Sequence, residues 1–135
     1  MTTLVEHLHV KTSRREDLVD ITEQVDGVVQ RSGIQAGTCT VQSTHTTAGL
    51  TINENAGPDV KADILAHLAS MVPRDGQFRH VEGNSDAHVK TSLVGISVTV
   101  AVEAGRLALG TWQGIMLCEF DGPRPREIII AVQGD

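Results

Sequence analysis

The chain has 135 residues, with 11 Lys and Arg against 17 Asp and Glu, a net charge of −6 and the wrong sign for reading a phosphate backbone or an anionic membrane surface. Its length suits one domain, read here over residues 1–135 without repeat or linker, that buries roughly two thirds of the unfolded surface. No apolar run approaches the ~18 residues of a membrane span, and the opening MTTLVEHLHV lacks the features of an export signal, so a soluble cytoplasmic protein with no nucleic-acid or membrane partner is expected.

Residues 3–11 read as a strand that puts His7 and His9 on one face of the pleat, a solvated face near a terminus or, less plainly, a metal pair. SRREDLVD is a loop leading into a short strand. A helix is expected over 22–32, with Thr22 as N-cap, the stripe Val25, Val28, Val29 and Gly33 as its stop. Strands follow at 37–43 and 50–54. A second helix over 59–72 carries Val60, Ile64, Leu68, Met71 and Val72 at helical period behind Pro58, with Asp59, Asp63 and His67 on the opposite, solvated face. Residues 73–91 show little periodicity and read as a long loop, a length usually functional or disordered.

Three strands close the chain. Val94, Ile96, Val98, Val100 and Val102 alternate with small or polar residues, residues 114–120 are mostly apolar, and Ile128 to Val132 has no polar face, which suits a strand buried on both sides. Cys39 and Cys118 lie in apolar strand contexts, not in a Cys-x-x-Cys arrangement, and read as free core thiols. With one Trp, two Phe and no Tyr, the interior is built from smaller aliphatics, which makes oligomerisation a reasonable expectation. The order of elements predicts an α+β fold, a mostly antiparallel sheet or sandwich with two helices.

Chemistry-bearing residues concentrate in five places. Ser43, Thr44, Thr46 and Thr47 surround His45, a turn that satisfies its own backbone or a histidine beside donors able to hold an anion. Glu54 ends a strand where a carboxylate can move a proton or orient a histidine. His80 and His88 sit in the long loop, followed by Lys90, Thr91 and Ser92; three imidazoles leave a fourth position open on Zn²⁺, although these spacings match no short zinc pattern. Thr111, Trp112 and Gln113 lie among Gly105, Gly110 and Gly114, as a tight hairpin with Trp capping the core or as a pocket wall. Arg124 and Arg126 follow the turn Asp121–Pro123 and could meet an anion.

The patterns His-Thr-x-Ala-x-Leu-x-x-Asn-Glu-Asn at 45–55, DAHVKTSLVG, and Gly-Thr-Trp-Gln at 110–113 preceded by Ser97, Val98, Val100 and Gly105 resemble the YjbQ family, also called the secondary thiamine-phosphate synthase family. The resemblance runs through almost the whole chain. It implies a β-sandwich α+β fold assembling as a homotrimer, and His45, His80 and His88 converging on a divalent metal such as zinc. Glu54 and Asp63 match acidic positions of the family, in catalytic roles. Contacts to a phosphorylated small molecule are expected from Thr46, Thr47, Lys90, Ser92, Thr111, Trp112, Gln113 and Arg124. The implied activity is a weak thiamine-phosphate synthase reaction, a transferase step; the alternatives are a metal-assisted phosphohydrolase and a small-ligand or metal binder without turnover.

Overall fold

The computed structural model describes residues 1–135. Its elements are β1 (Thr2–Lys11), β2 (Asp17–Asp20), α1 (Thr22–Ser32), β3 (Ala36–Ser43), β4 (Ala48–Glu54), α2 (Pro58–Met71), α3 (Ser85–Val94), β5 (Ser97–Glu103), β6 (Arg106–Leu107), β7 (Gln113–Glu119) and β8 (Pro125–Gly134). The strands form a five-stranded sheet in the order β1-β8-β3-β5-β6 and a three-stranded sheet in the order β2-β7-β4. Every pairing is antiparallel, so the fold is α+β as expected.

The sheets face each other across a core of Val41, Ile128 and Ile130 from the larger sheet and Leu50, Ile115 and Leu117 from the smaller, closed by Val25, Val28 and Val29 of α1. A second cluster lies on the outer face of the small sheet, where Met116, Cys118 and Phe120 meet Ala87 of α3 and half-buried Ile64, Leu65 and Leu68 of α2. Because successive side chains of a strand point to opposite faces, β7 feeds both clusters. It is buried on both sides, whereas β8 alternates buried and half-buried residues. The two-sided strand is thus β7, and the all-apolar run in β8 leaves Ile129 and Ala131 on the open face of the large sheet. Both thiols are free and buried; burial pushes Cys39 up to about 11 and Cys118 up to about 12.

The first helix spans the expected residues, but Thr22 is its first residue and not its cap. Asp20 accepts hydrogen bonds from the Thr22 N–H at 3.0 Å and the Thr22 hydroxyl at 2.6 Å, while that hydroxyl accepts from the Ile115 N–H at 2.9 Å. Gly33 ends the helix at φ 70°, the left-handed stop glycine favours.

The expected loop over 73–91 contains a third helix. Its buried residues are Asp86, Ala87, Lys90 and Thr91, so its inward face is largely polar and carries no apolar period to read. Ion pairs replace hydrophobic contact there: Asp86 pairs with Arg15 at 3.1 Å and Lys90 at 3.3 Å, and Lys90 also reaches Glu16 at 3.2 Å. For the same reason Val94 belongs to this helix and not to the strand that follows. Gly49 lets the end of α3 close onto β4, since a Cβ there would stand 2.5 Å from the Gly95 carbonyl oxygen. That carbonyl accepts the Leu50 N–H at 3.0 Å, and the Ile96 carbonyl accepts the Ser43 N–H at 2.7 Å. These contacts fix α3 beside the β3–β4 loop.

Candidate functional site

The β3–β4 loop is braced from within. Ser43 Oγ donates to the Ala48 carbonyl at 2.7 Å and accepts the His45 N–H at 3.1 Å. Below it lies a buried ion pair. Arg126, at the start of β8, donates through Nε to Glu119 at 2.8 Å and through Nη2 both to Glu119 and to Thr47 Oγ1, the latter at 2.9 Å. Glu119 also accepts from the Thr12 hydroxyl at 2.7 Å and the Asp121 N–H at 3.0 Å. Burial by itself raises the Glu119 pKa, but these donors and the Arg126 charge reverse that and hold the carboxyl below its ordinary range.

His45 sits on this platform, and its Nε2 accepts the backbone N–H of Glu127 at 2.8 Å. A ring nitrogen that accepts is unprotonated, so the imidazole is neutral with its proton on Nδ1. Burial, then the Arg126 charge, hold its pKa below the ordinary value.

His45 and His88 form the wall between two adjoining lobes of one cleft. The first lobe, about 380 Å³, has no hydrophobic residue in its lining and adds Thr46, Thr47, Glu82, Asn84, Asp121, Arg124 and Arg126 to the two histidines. The second, about 740 Å³, is lined by Ser43, Thr44, Thr91, Ser92 and Ile96 among others and carries no carboxylate, lysine or arginine. Arg124 spans the rim of the first lobe, donating to the Asp121 backbone carbonyl at 2.8 Å and carboxylate at 3.0 Å.

The expected site residues separate into groups. His45, Thr46, Thr47, His88, Ser92 and Arg124 come together at the cleft. His80 stands beside His88, ring centroids 5.5 Å apart and edge to face, in a separate surface pocket with Phe78 and Val89. Lys90, expected to meet an anion, is 1% exposed and committed to Asp86 and Glu16. Glu54 pairs in register with Gln113 at the opposite end of β4 from Ala48, roughly 20 Å away by the rise of a strand. Thr111 and Trp112 accompany them, and Trp112 is 64% exposed, capping no core and walling neither lobe. Asp63 is exposed on α2.

The three histidines do not fit a metal centre within one chain. No group of three or more His, Cys, Asp or Glu side chains is placed to hold a metal ion, and His45 Nε2 is already an acceptor for Glu127. Asn84, Asp121 and Glu119 were not expected at the site, whereas Thr91, which follows His88 in sequence, lines its second lobe. Asn84 and Asp121 stand in Gly- and Pro-containing turns, where their ordinary role is local backbone bonding.

An antiparallel sandwich with a polar two-histidine cleft beside its β3–β4 loop defines the structural class, and comparisons with known proteins match it throughout. A crystal structure of a YjbQ/UPF0047 family protein from Clostridium acetobutylicum superposes with a TM-score of 0.93 at 48% identity, covering 95% of this chain and 99% of that one. A YbjQ-like protein of unknown function from Sulfolobus solfataricus gives 0.96 at 34% identity, covering 99% of each chain. In sequence, UPF0047 protein YugU of Bacillus subtilis is 49% identical over 132 residues, 97% of this chain and 100% of its own length. UPF0047 protein MJ1081 of Methanocaldococcus jannaschii is 50% identical over 126 residues, 93% of this chain and 91% of its own. The family described as UPF0047 protein YjbQ-like matches residues 6–135. The chain belongs to the YjbQ family.

Proposed function

We propose that the cleft binds the phosphate group of a small metabolite. What carries this reading is the wholly non-hydrophobic lining of the first lobe, where Arg124, Thr46 and the two histidines converge. Arg124 is half exposed and tied only to Asp121, so its guanidinium is free to exchange that carboxylate for a phosphate oxygen. Thr46 adds a hydroxyl donor, and His45, with its proton on Nδ1, adds an N–H. No step in this reading passes through a metal ion. The test is calorimetric titration with inorganic phosphate and a panel of phosphorylated metabolites. Binding that falls about tenfold or more in Arg124→Ala is the expected result, and no phosphate binding by the unaltered chain removes the reading.

A second reading adds chemistry and a partner. Glu54 and exposed Trp112 lie at the end of β4 away from His45, so a thiamine-phosphate synthase-like transfer that uses them requires a neighbouring copy. A homotrimer, in the cytoplasm where Cys39 and Cys118 stay reduced, supplies that copy. A solution mass equal to one chain sinks this extension. Released inorganic phosphate without coupled thiamine phosphate would replace transfer by hydrolysis.

A further inference from the structure

Two buried side-chain polar atoms in the molecule have no hydrogen-bond partner: Asn84 Oδ1 and Thr91 Oγ1. Buried polar groups are normally paired, and leaving one unpaired costs stability, so their positions call for a physical reason. Asn84 precedes the first turn of α3 and Thr91 lies near its end. With His88 they stand at i, i+4 and i+7, a spacing that places all three on one face of a helix. The cleft uses that face in order. Asn84 lines the first lobe, Thr91 lines the second, and His88 lines both.

Each lobe has its own chemistry. The first holds Arg124 and Arg126 against Glu82 and Asp121, and Asp121 is shared between Arg124 and the Asn84 amide, which donates to it at 2.9 Å. The second is larger, carries no carboxylate, lysine or arginine, and is rich in hydroxyls around Ile96. Seven residues of helix rise about 10 Å, which is the span from a phosphate to the far ring of a nucleoside-sized molecule.

We infer that the cleft takes a two-part ligand: a phosphate in the lobe of Arg124 and a neutral, hydrogen-bonding body of nucleoside size in the lobe of Thr91, with His45 and His88 at the seam. Asn84 and Thr91 are the specificity-determining residues: their orphaned oxygens are buried in the free chain, and the side chains turn into the cleft to complete their hydrogen bonds when the ligand binds. This rests on the phosphate-binding reading above and adds the nature of the rest of the molecule.

The test titrates the full chain with inorganic phosphate, ribose 5-phosphate and ribonucleoside monophosphates, then repeats the series with Thr91→Val and Ile96→Trp. Thr91→Val keeps the shape and removes the orphaned hydroxyl. The free protein should therefore melt at the same or a higher temperature while affinity for the best two-part ligand falls about tenfold and that for inorganic phosphate does not change. Ile96→Trp, at an exposed position, should fill the second lobe with the same selective loss. Two-part ligands binding no better than inorganic phosphate overturn the inference and leave phosphate binding standing. So does a Thr91→Val chain that melts lower and loses affinity for every ligand alike, because that is the behaviour of a structural hydroxyl. Absence of any phosphate binding removes the underlying reading instead.

Discussion

The Glu127 backbone N–H donates to Nε2 of His45 across 2.8 Å, tying the β3–β4 loop to the start of β8 and leaving the ring's proton on Nδ1. Protonating the ring at Nε2 would break this bond and place a cation beside Arg126, which already holds the His45 pKa below 6.5 together with burial, the larger cause. Between the folded value and 6.5 the unfolded chain binds a proton that the folded chain refuses. Stability from His45 is therefore complete above pH 6.5 and is lost as pH falls through the folded value. Denaturant titration at pH 7.5 and 5.5 should show a loss on acidification that shrinks in His45→Gln. Long-range nitrogen–proton NMR should show the Nδ1–H tautomer at pH 7.5; an Nε2–H tautomer would contradict the bond.

The Glu119–Arg126 pair beneath the loop is buried, with Glu119 0% and Arg126 3% exposed. Removing one member strands the other charge without solvent, so Glu119→Ala should cost about 3–5 kcal/mol in denaturant titration. The Glu119 carboxyl is held below its ordinary 4.5, so its contribution is complete above pH 4.5 and is lost at lower pH as the folded value is crossed. A cost near zero for Glu119→Ala at neutral pH would mean that the pair does not brace the loop.

Around α3 the asymmetry of the ion pairs makes a sharper comparison. Lys90→Met leaves Asp86 still paired with Arg15 at 3.1 Å, whereas Asp86→Ala leaves Arg15 and Lys90 to share the one carboxylate of Glu16, 3.2 Å from each. Asp86→Ala should therefore cost distinctly more than Lys90→Met in denaturant titration, because it removes a carboxylate shared by two cations. If Lys90 were a phosphate ligand, Lys90→Met would reduce phosphate affinity as Arg124→Ala does. Its position predicts phosphate affinity unchanged, measured by the same calorimetric titration.

How much of this was legible depends on which residues carried the burial. In α1 the stripe Val25, Val28, Val29 is apolar and meets the main core, so period and boundaries agree with the sequence. In α3 the buried face is Asp86, Ala87, Lys90 and Thr91, and a helix docked by ion pairs shows no hydrophobic period. The apolar runs of β7 and β8 look alike in sequence; which of them is covered twice depends on α2 and α3 lying over the small sheet, a tertiary fact. At the site, His45 and His88 were readable because polar residues cluster around them. Glu54 shares a motif with His45, yet β4 holds the two at its opposite ends, and Trp112 stands at the Glu54 end. Asp121 looked like a turn former, and Asn84 lay unmarked in the expected loop, because nothing local distinguishes a loop amide whose oxygen will be left unpaired.

Zinc provides the last discriminating measurement. Known zinc sites take three or four protein ligands, while here only His80 and His88 are neighbours, with ring centroids 5.5 Å apart, and His45 is engaged by Glu127. A pair of imidazoles on a surface helix and its preceding loop supplies two donors and little enclosure. Zinc added to tag-free protein should therefore bind weakly and raise the melting temperature little. His80→Ala and His88→Ala should each abolish that effect, and His45→Ala should leave it unchanged. If His45→Ala removed zinc as completely as the other two, the three histidines would converge in solution and the loop carrying His45 would have to give up its bond to β8 to let them.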